Sequence, residues 1–183
     1  MISVRRLEVA DAALYRALRL EGLEQAPEAF GSTLEREQGM ALAAFAERLA
    51  ERCVLAVFDG GDCLGLAGLI VETMVKERHK GTLFGMYVRP AARRQGAGRA
   101  LVAGILAVAR GQVEQVKLAV VEGNEGARRL YEDCGFVTYG IEPRALKFRG
   151  RYFDEVLMVR FLDPAQGGGG NIDRTGMPYP PAA

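Results

Sequence analysis

A chain of 183 residues, 49% of them hydrophobic, is the size of one domain and carries enough apolar mass for a sizeable core. Its 24 Lys and Arg against 23 Asp and Glu leave a net charge of +1, which excludes a general attraction to nucleic acid or to an anionic membrane. Three cysteines (Cys53, Cys63 and Cys134) without metal-like spacing and a single His79 argue for buried thiols in a reducing compartment and for no metal site.

The first predicted element is a strand from Ile2 to Leu7, followed by an amphipathic helix from Asp11, its N-cap, to Gln25, with Leu14, Leu18 and Leu23 turned inward. Neither this amino terminus nor any later stretch has a signal-peptide or membrane-spanning apolar run, so a cytoplasmic protein without a membrane partner is expected. Ser32 and Glu35 have capping-box spacing at the start of a second helical region that reaches Ala50. Val54 to Phe58 and Cys63 to Val71 read as a hairpin turning at Gly60, Gly61 and Asp62. A strand (Thr82 to Val88), a helix (Ala97 to Arg110), a strand (Val116 to Val121) and a helix (Asn124 to Cys134) come next. Two last strands, Val137 to Gly140 and Tyr152 to Leu162, enclose a turn at Arg149 to Arg151. This order predicts an α/β fold with a mixed central sheet, helices on both faces and one right-handed parallel step. Residues 1–163 form the expected domain, and the Gly/Pro-rich residues 164–183 read as a flexible tail.

The chemistry concentrates after the strand that ends at Val88. Pro90 removes a backbone donor and stops that strand, and Gly96 and Gly98 stand where the next helix begins. Bare backbone there, with free N–H groups and the positive end of the helix dipole, suits a phosphate. Arg93, Arg94 and Arg99 add charge around the same turn. The turn lacks the Lys-Ser/Thr pair of a nucleotide hydrolase, and its glycine spacing is not that of a dinucleotide fold. About thirty residues later, Asn124, Ala127 and Tyr131 share one face of a short helix that Asn124 caps and Gly135 ends. Taken alone, Tyr131 reads rather as a core-facing aromatic on an amphipathic helix.

Together these two motifs resemble the GNAT family of N-acetyltransferases. Its Arg/Gln-x-x-Gly-x-Gly/Ala pattern is matched by Arg93, Gly96 and Gly98, and its Asn-x-x-Ala-x-x-x-Tyr element by Asn124, Ala127 and Tyr131, followed by Gly135 and Phe136. The resemblance implies a mostly antiparallel mixed sheet with a splayed parallel strand pair. It also implies an acyl-coenzyme A donor, usually acetyl-CoA, bound between those strands. The backbone of Met86, Tyr87 and Val88 would pair with the pantetheine arm. The turn and first helical residues, Arg93, Arg94, Gln95, Gly96, Ala97, Gly98, Arg99 and Ala100, would hold the pyrophosphate, with Asn124 and Tyr131 also against the cofactor.

In the reaction so implied, an amine attacks a thioester, the carbonyl oxygen becomes negative and a thiolate leaves. The oxygen needs a fixed donor, such as the backbone N–H of Val88 or a neighbour. A phenol of pKa about 10 stays protonated at neutral pH and can donate to a leaving thiolate, and Tyr131 is the candidate by this argument and by the resemblance. The strand from Leu83 to Tyr87 holds no carboxylate, so a base must come from elsewhere; among Glu35, Glu37 and Glu72, Glu35 is named. Phe30, Glu35, Tyr87 and Tyr152 are candidate acceptor walls, while Arg128 and Arg129 read as exposed helix residues. The acceptor is expected to be an amine, on a small molecule or a protein, and a homodimer stays open. The alternative is a non-catalytic acyl-CoA sensor or interaction module on the same fold.

Overall fold

A computed structural model describes residues 1–162; the tail reading of residues 164–183 lies outside them. Seven strands form one sheet: β1 (Ile2–Arg6), β2 (Cys53–Asp59), β3 (Asp62–Val71), β4 (Lys80–Val88), β5 (Gln115–Val121), β6 (Val137–Phe148) and β7 (Arg151–Phe161). Their order is β1-β2-β3-β4-β5-β7-β6, and among the described residues only β4 and β5 pair in parallel. The predicted mixed α/β architecture is borne out.

Five α-helices cover the sheet: α1 (Ala12–Gln25), α2 (Leu34–Gln38), α3 (Leu42–Glu51), α4 (Ala97–Ala109) and α5 (Glu125–Asp133). Each face has its own apolar core, as strands buried on both faces require. One packs Leu101, Val102, Ile105 and Leu106 of α4 against Leu55, Leu69, Val116 and Met158 of the sheet. The opposite core joins Tyr15 and Leu18 of α1 and Phe45 and Leu49 of α3 to Val54, Ala56 and Leu66. Tyr15, which the periodicity passed over, meets Phe45 edge to face at 5.8 Å. Leu14, predicted inward, is only half-buried. No helix among the described residues is long and apolar enough to cross a membrane.

Three local predictions are corrected. Asp11 stands at the N-cap position of α1, but its carboxylate accepts from the Glu8 backbone N–H and pairs with Arg5 instead of capping that helix. The Ser32–Glu35 capping box does not form: Thr33 is the cap, accepting from the Arg36 N–H, and Gly39 ends α2 after five residues. The last strand pair is also longer than predicted, since β6 continues to Phe148 through two register shifts. Pro143 lies within this strand, and β6 is the sheet edge, where a missing N–H breaks no ladder.

Candidate active site

The parallel pairing of β4 and β5 lasts for three residue pairs, Lys80↔Gln115 to Thr82↔Lys117, and then the strands part. Beyond that point β4 is bulged: Leu66 of β3 faces Tyr87 while Gly68 faces Phe84, so Gly85 and Met86 together oppose Ala67. Gly85 takes φ +61°, which a side chain strongly disfavours, and it thereby accommodates the extra residue. Past Thr82 and Lys117 the facing edges of β4 and β5 have no strand partner.

A small chamber of about 90 Å³ fills the parting, lined by Phe30, Phe84, Gly85, Met86, Val121 and Tyr131 among others, with no charged side chain among the described residues. It shares Phe30, Met86, Asn124 and Tyr131 with an open cleft of about 1210 Å³ that runs to the glycine turn. The ring of Phe84, a chamber residue, rests on Gly68 of β3, where an added Cβ would come within 2.3 Å of the ring.

At the far end of the cleft, Arg93 donates through Nε to the Val88 carbonyl at 3.1 Å, Arg94 takes φ +61° and Gly96 φ +88°. Ala100 N–H bonds the Gly96 carbonyl, which leaves the N–H groups of the preceding turn open at the start of α4. The two glycines do different work. A Cβ on Gly96 would meet open space, as ligand approach requires, whereas one on Gly98 would press to 2.9 Å from Leu130 of α5. Arg93, Arg94, Gly96, Gly98 and Arg99 line the cleft. Gln95 instead folds back to donate to the Ala91 carbonyl at 2.8 Å, Ala97 is fully buried in the core and Ala100 is half-buried against it, so their side chains do not reach the cleft. Arg99 pairs with Asp133 across the α4–α5 contact. Arg129, expected to be merely exposed, lines the cleft, while Arg128 pairs along its own helix with Glu132.

Asn124 caps α5 by accepting from the Ala127 N–H at 3.2 Å. That fixes Tyr131 two turns on, 6% exposed, edge to face with Phe136 at 5.9 Å. Its hydroxyl donates to the Met86 sulfur at 3.4 Å, and burial first, then the Cys134 sulfur, push its pKa above the ordinary phenol value. Tyr87 is held otherwise: its hydroxyl donates to Glu21 at 2.9 Å, and burial with that carboxylate pushes it up to about 12. Arg89 holds Glu21 in turn, at 2.8 Å, and lowers its pKa.

The acidic candidates separate clearly. Glu35 is exposed on α2 and does not line the chamber or the cleft, so the structure does not bring it to the other site residues. Glu72 is paired with Lys117 at 3.3 Å and accepts from Thr82 at the root of the parting. Glu37 is 1% exposed. Burial pushes its pKa up, but the hydrogen bonding and the charge of Arg19, together with hydrogen bonds from Ser32 and Arg48, outweigh burial and hold it at about 2. Tyr152, proposed as a wall, is exposed beside Lys147 and Arg144, and its neighbour Phe153 lines the cleft instead. Phe30 lines both cavities. Gly85, Met86 as the tyrosine's partner, Phe153 and the Arg19–Glu37 pair were missed; a lone glycine within a strand pattern was the available sign of the bulge.

A parallel strand pair that parts beside a bulge and a glycine turn at a helix start thus share one open cleft. The profile of the acetyltransferase (GNAT) family matches residues 14–136, and the chain belongs to that family and is an acyltransferase. Comparison with curated proteins gives no match. Among solved structures, a GNAT-family acetyltransferase from Streptococcus pneumoniae is 22% identical with a TM-score of 0.78, over 89% of this chain and all (100%) of that one. A ribosomal-protein-alanine N-acetyltransferase from Brucella melitensis is 24% identical, TM-score 0.77, over 87% of this chain and 99% of that one. An acetyltransferase structure from Salmonella typhimurium, described with its cofactor acetyl-CoA, is 20% identical, TM-score 0.70, over 91% and 96%. At these identities the likeness is one of fold.

Proposed function

We propose that the chain transfers an acetyl group from acetyl-CoA to an amine by direct attack in a ternary complex. The observation that carries this reading is the buried Tyr131 hydroxyl held at the parting of β4 and β5, in a chamber continuous with the cleft that ends on Gly96. The residues present fit the donor: open backbone at Gly96, unpartnered N–H groups at the start of α4, and Arg94 and Arg129 on the same cleft match a pyrophosphate. Bound there, acetyl-CoA supplies an electrophilic thioester and a thiol leaving group.

The bulged backbone of Met86 to Val88, whose edge toward β5 is unpaired, offers N–H groups to the carbonyl oxygen as it becomes negative. Tyr131, kept protonated by burial, gives its proton to the departing sulfur; its present acceptor, a thioether, is weak and easily exchanged. No carboxylate lines the chamber among the described residues, so the amine enters neutral or loses its proton through water, and Glu35 has no part in the step. The apolar lining favours the neutral amine over the ammonium ion.

Calorimetric titration with acetyl-CoA and coenzyme A, then a thiol-release screen over amines and peptides, tests the reading. Binding with acceptor-dependent release supports it. Binding without release across the panel moves the assignment to an acyl-CoA sensor, and absence of binding overturns both.

A further inference from the structure

We infer that the amine acceptor carries a carboxylate and that the open edge of Arg19 receives it, an inference that rests on the transferase reading above. Arg19 of α1 gives one edge of its guanidinium to Glu37, through Nε at 3.1 Å and Nη2 at 2.9 Å. Its face lies 4.8 Å from the Phe30 ring centroid. Fixed from two sides, the group presents its remaining donors, both on Nη1 and one on Nη2, in a second fork. Among the described residues nothing accepts from Nη1. No buried side-chain nitrogen there lacks a partner, so Nη1, having none, is open to solvent.

That open edge lies beside the chamber. A Cβ on Gly85 would sit 3.5 Å from Nη1, and both Gly85 and Phe30 line the chamber. The guanidinium therefore places positive charge next to Gly85 of a chamber whose own lining is uncharged among the described residues.

Charge balance favours a ligand over a purely structural role. Glu37 also receives Arg48, through Nη1 at 3.0 Å, and one cation suffices to neutralise one carboxylate. The second leaves net positive charge on a side chain only 13% exposed, a costly placement until an anion joins it. Arg52 adds to the imbalance: it does not line the chamber itself, but it lies 5.7 Å from the ring of Phe84, which does, and it forms no ion pair among the described residues. A guanidinium fork matches a carboxylate in geometry as well as charge, and a basic acceptor side chain would be repelled.

The test compares α-amino acids with their amides, which differ only in the carboxylate. Each pair is titrated into the protein saturated with coenzyme A, and the same pairs serve as acceptors in the thiol-release assay. At least one acid should bind, and should react with kcat/KM roughly ten- to a hundredfold above its amide. Arg19→Gln should abolish that preference by raising KM for the acid, with kcat changed far less and acetyl-CoA affinity kept. Because that change strands buried Glu37, the double variant R19Q/E37Q is made beside it, and Arg52→Gln should weaken the preference without touching the core. Equal binding of acids and amides, no binding by any acid, or a preference that survives R19Q/E37Q overturns the inference. Release with neutral amines in that case leaves acetyl transfer standing, whereas failure to bind acetyl-CoA overturns the transferase reading itself.

Discussion

Tyr131 is the side chain on which the proposed chemistry is most exposed to test. Its hydroxyl touches a thioether, so Tyr131→Phe removes a weak hydrogen bond, and the loss of stability should stay near or below about 1 kcal/mol in urea denaturation. The same change should lower kcat by roughly a hundred- to ten-thousandfold with acetyl-CoA affinity nearly unchanged; an unchanged turnover would remove the phenol from the mechanism. Glu35→Gln, by contrast, alters an exposed side chain outside both cavities and should leave thiol release and its pH profile as they were. The difference between Glu35 and Glu37 shows what the sequence conceals. The two lie on one short helix with the same composition around them, and only tertiary packing decides that one is solvated and the other sealed between Arg19 and Arg48. Arg19 and Glu37 are 18 residues apart, with no motif to join them.

At the level of the element, β4 shapes the site, because its bulge lies where the gap from β5 opens. Gly85→Ala places a side chain at φ +61° and should cost about 1–2 kcal/mol in urea denaturation, and it should lower kcat as the bulge relaxes. Gly31→Ala, where a Cβ meets nothing and φ is ordinary, should stay within about 0.5 kcal/mol and serves as the control. The glycine turn and the cap of α5 were legible because their geometry is written locally: Gly96 adopts the backbone only glycine takes readily, and Asn124 bonds a residue three positions away. The bulge was hidden because one glycine in a strand is ambiguous without the partner strand's register. The second half of β6 was hidden because its edge position, which excuses Pro143, is a property of the sheet and not of the segment.

For the whole molecule, the two cores differ in what they secure. The core beneath α4 and α5 holds the glycine turn and Tyr131, and the helices α1, α2 and α3 on the other face carry the buried ion triad. The second face is therefore the acid-sensitive one. Glu37 has a folded pKa of about 2 against 4.5 in the unfolded chain, so it is protonated at higher pH when unfolded. Its stabilisation is complete above about pH 4.5 and is lost as pH falls through 2, a change worth about 3 kcal/mol. Asp11, also held at about 2 by its hydrogen bonds to Arg5 and the Glu8 backbone, titrates in the same window. Urea denaturation from pH 7 to pH 2 should thus show a shallower acid decline for Glu37→Gln than for the wild type, from a lower starting stability; parallel declines would deny Glu37 this role. The Phe84 ring, finally, rests where Gly68 has no side chain, on a strand that does not line the chamber. A methyl group there would displace the ring, so Gly68→Ala should shrink the range of acceptors by size while acetyl-CoA still binds. The molecule then carries a caliper for its substrate one strand removed from the chemistry, adjustable by mutation without altering any group that reacts.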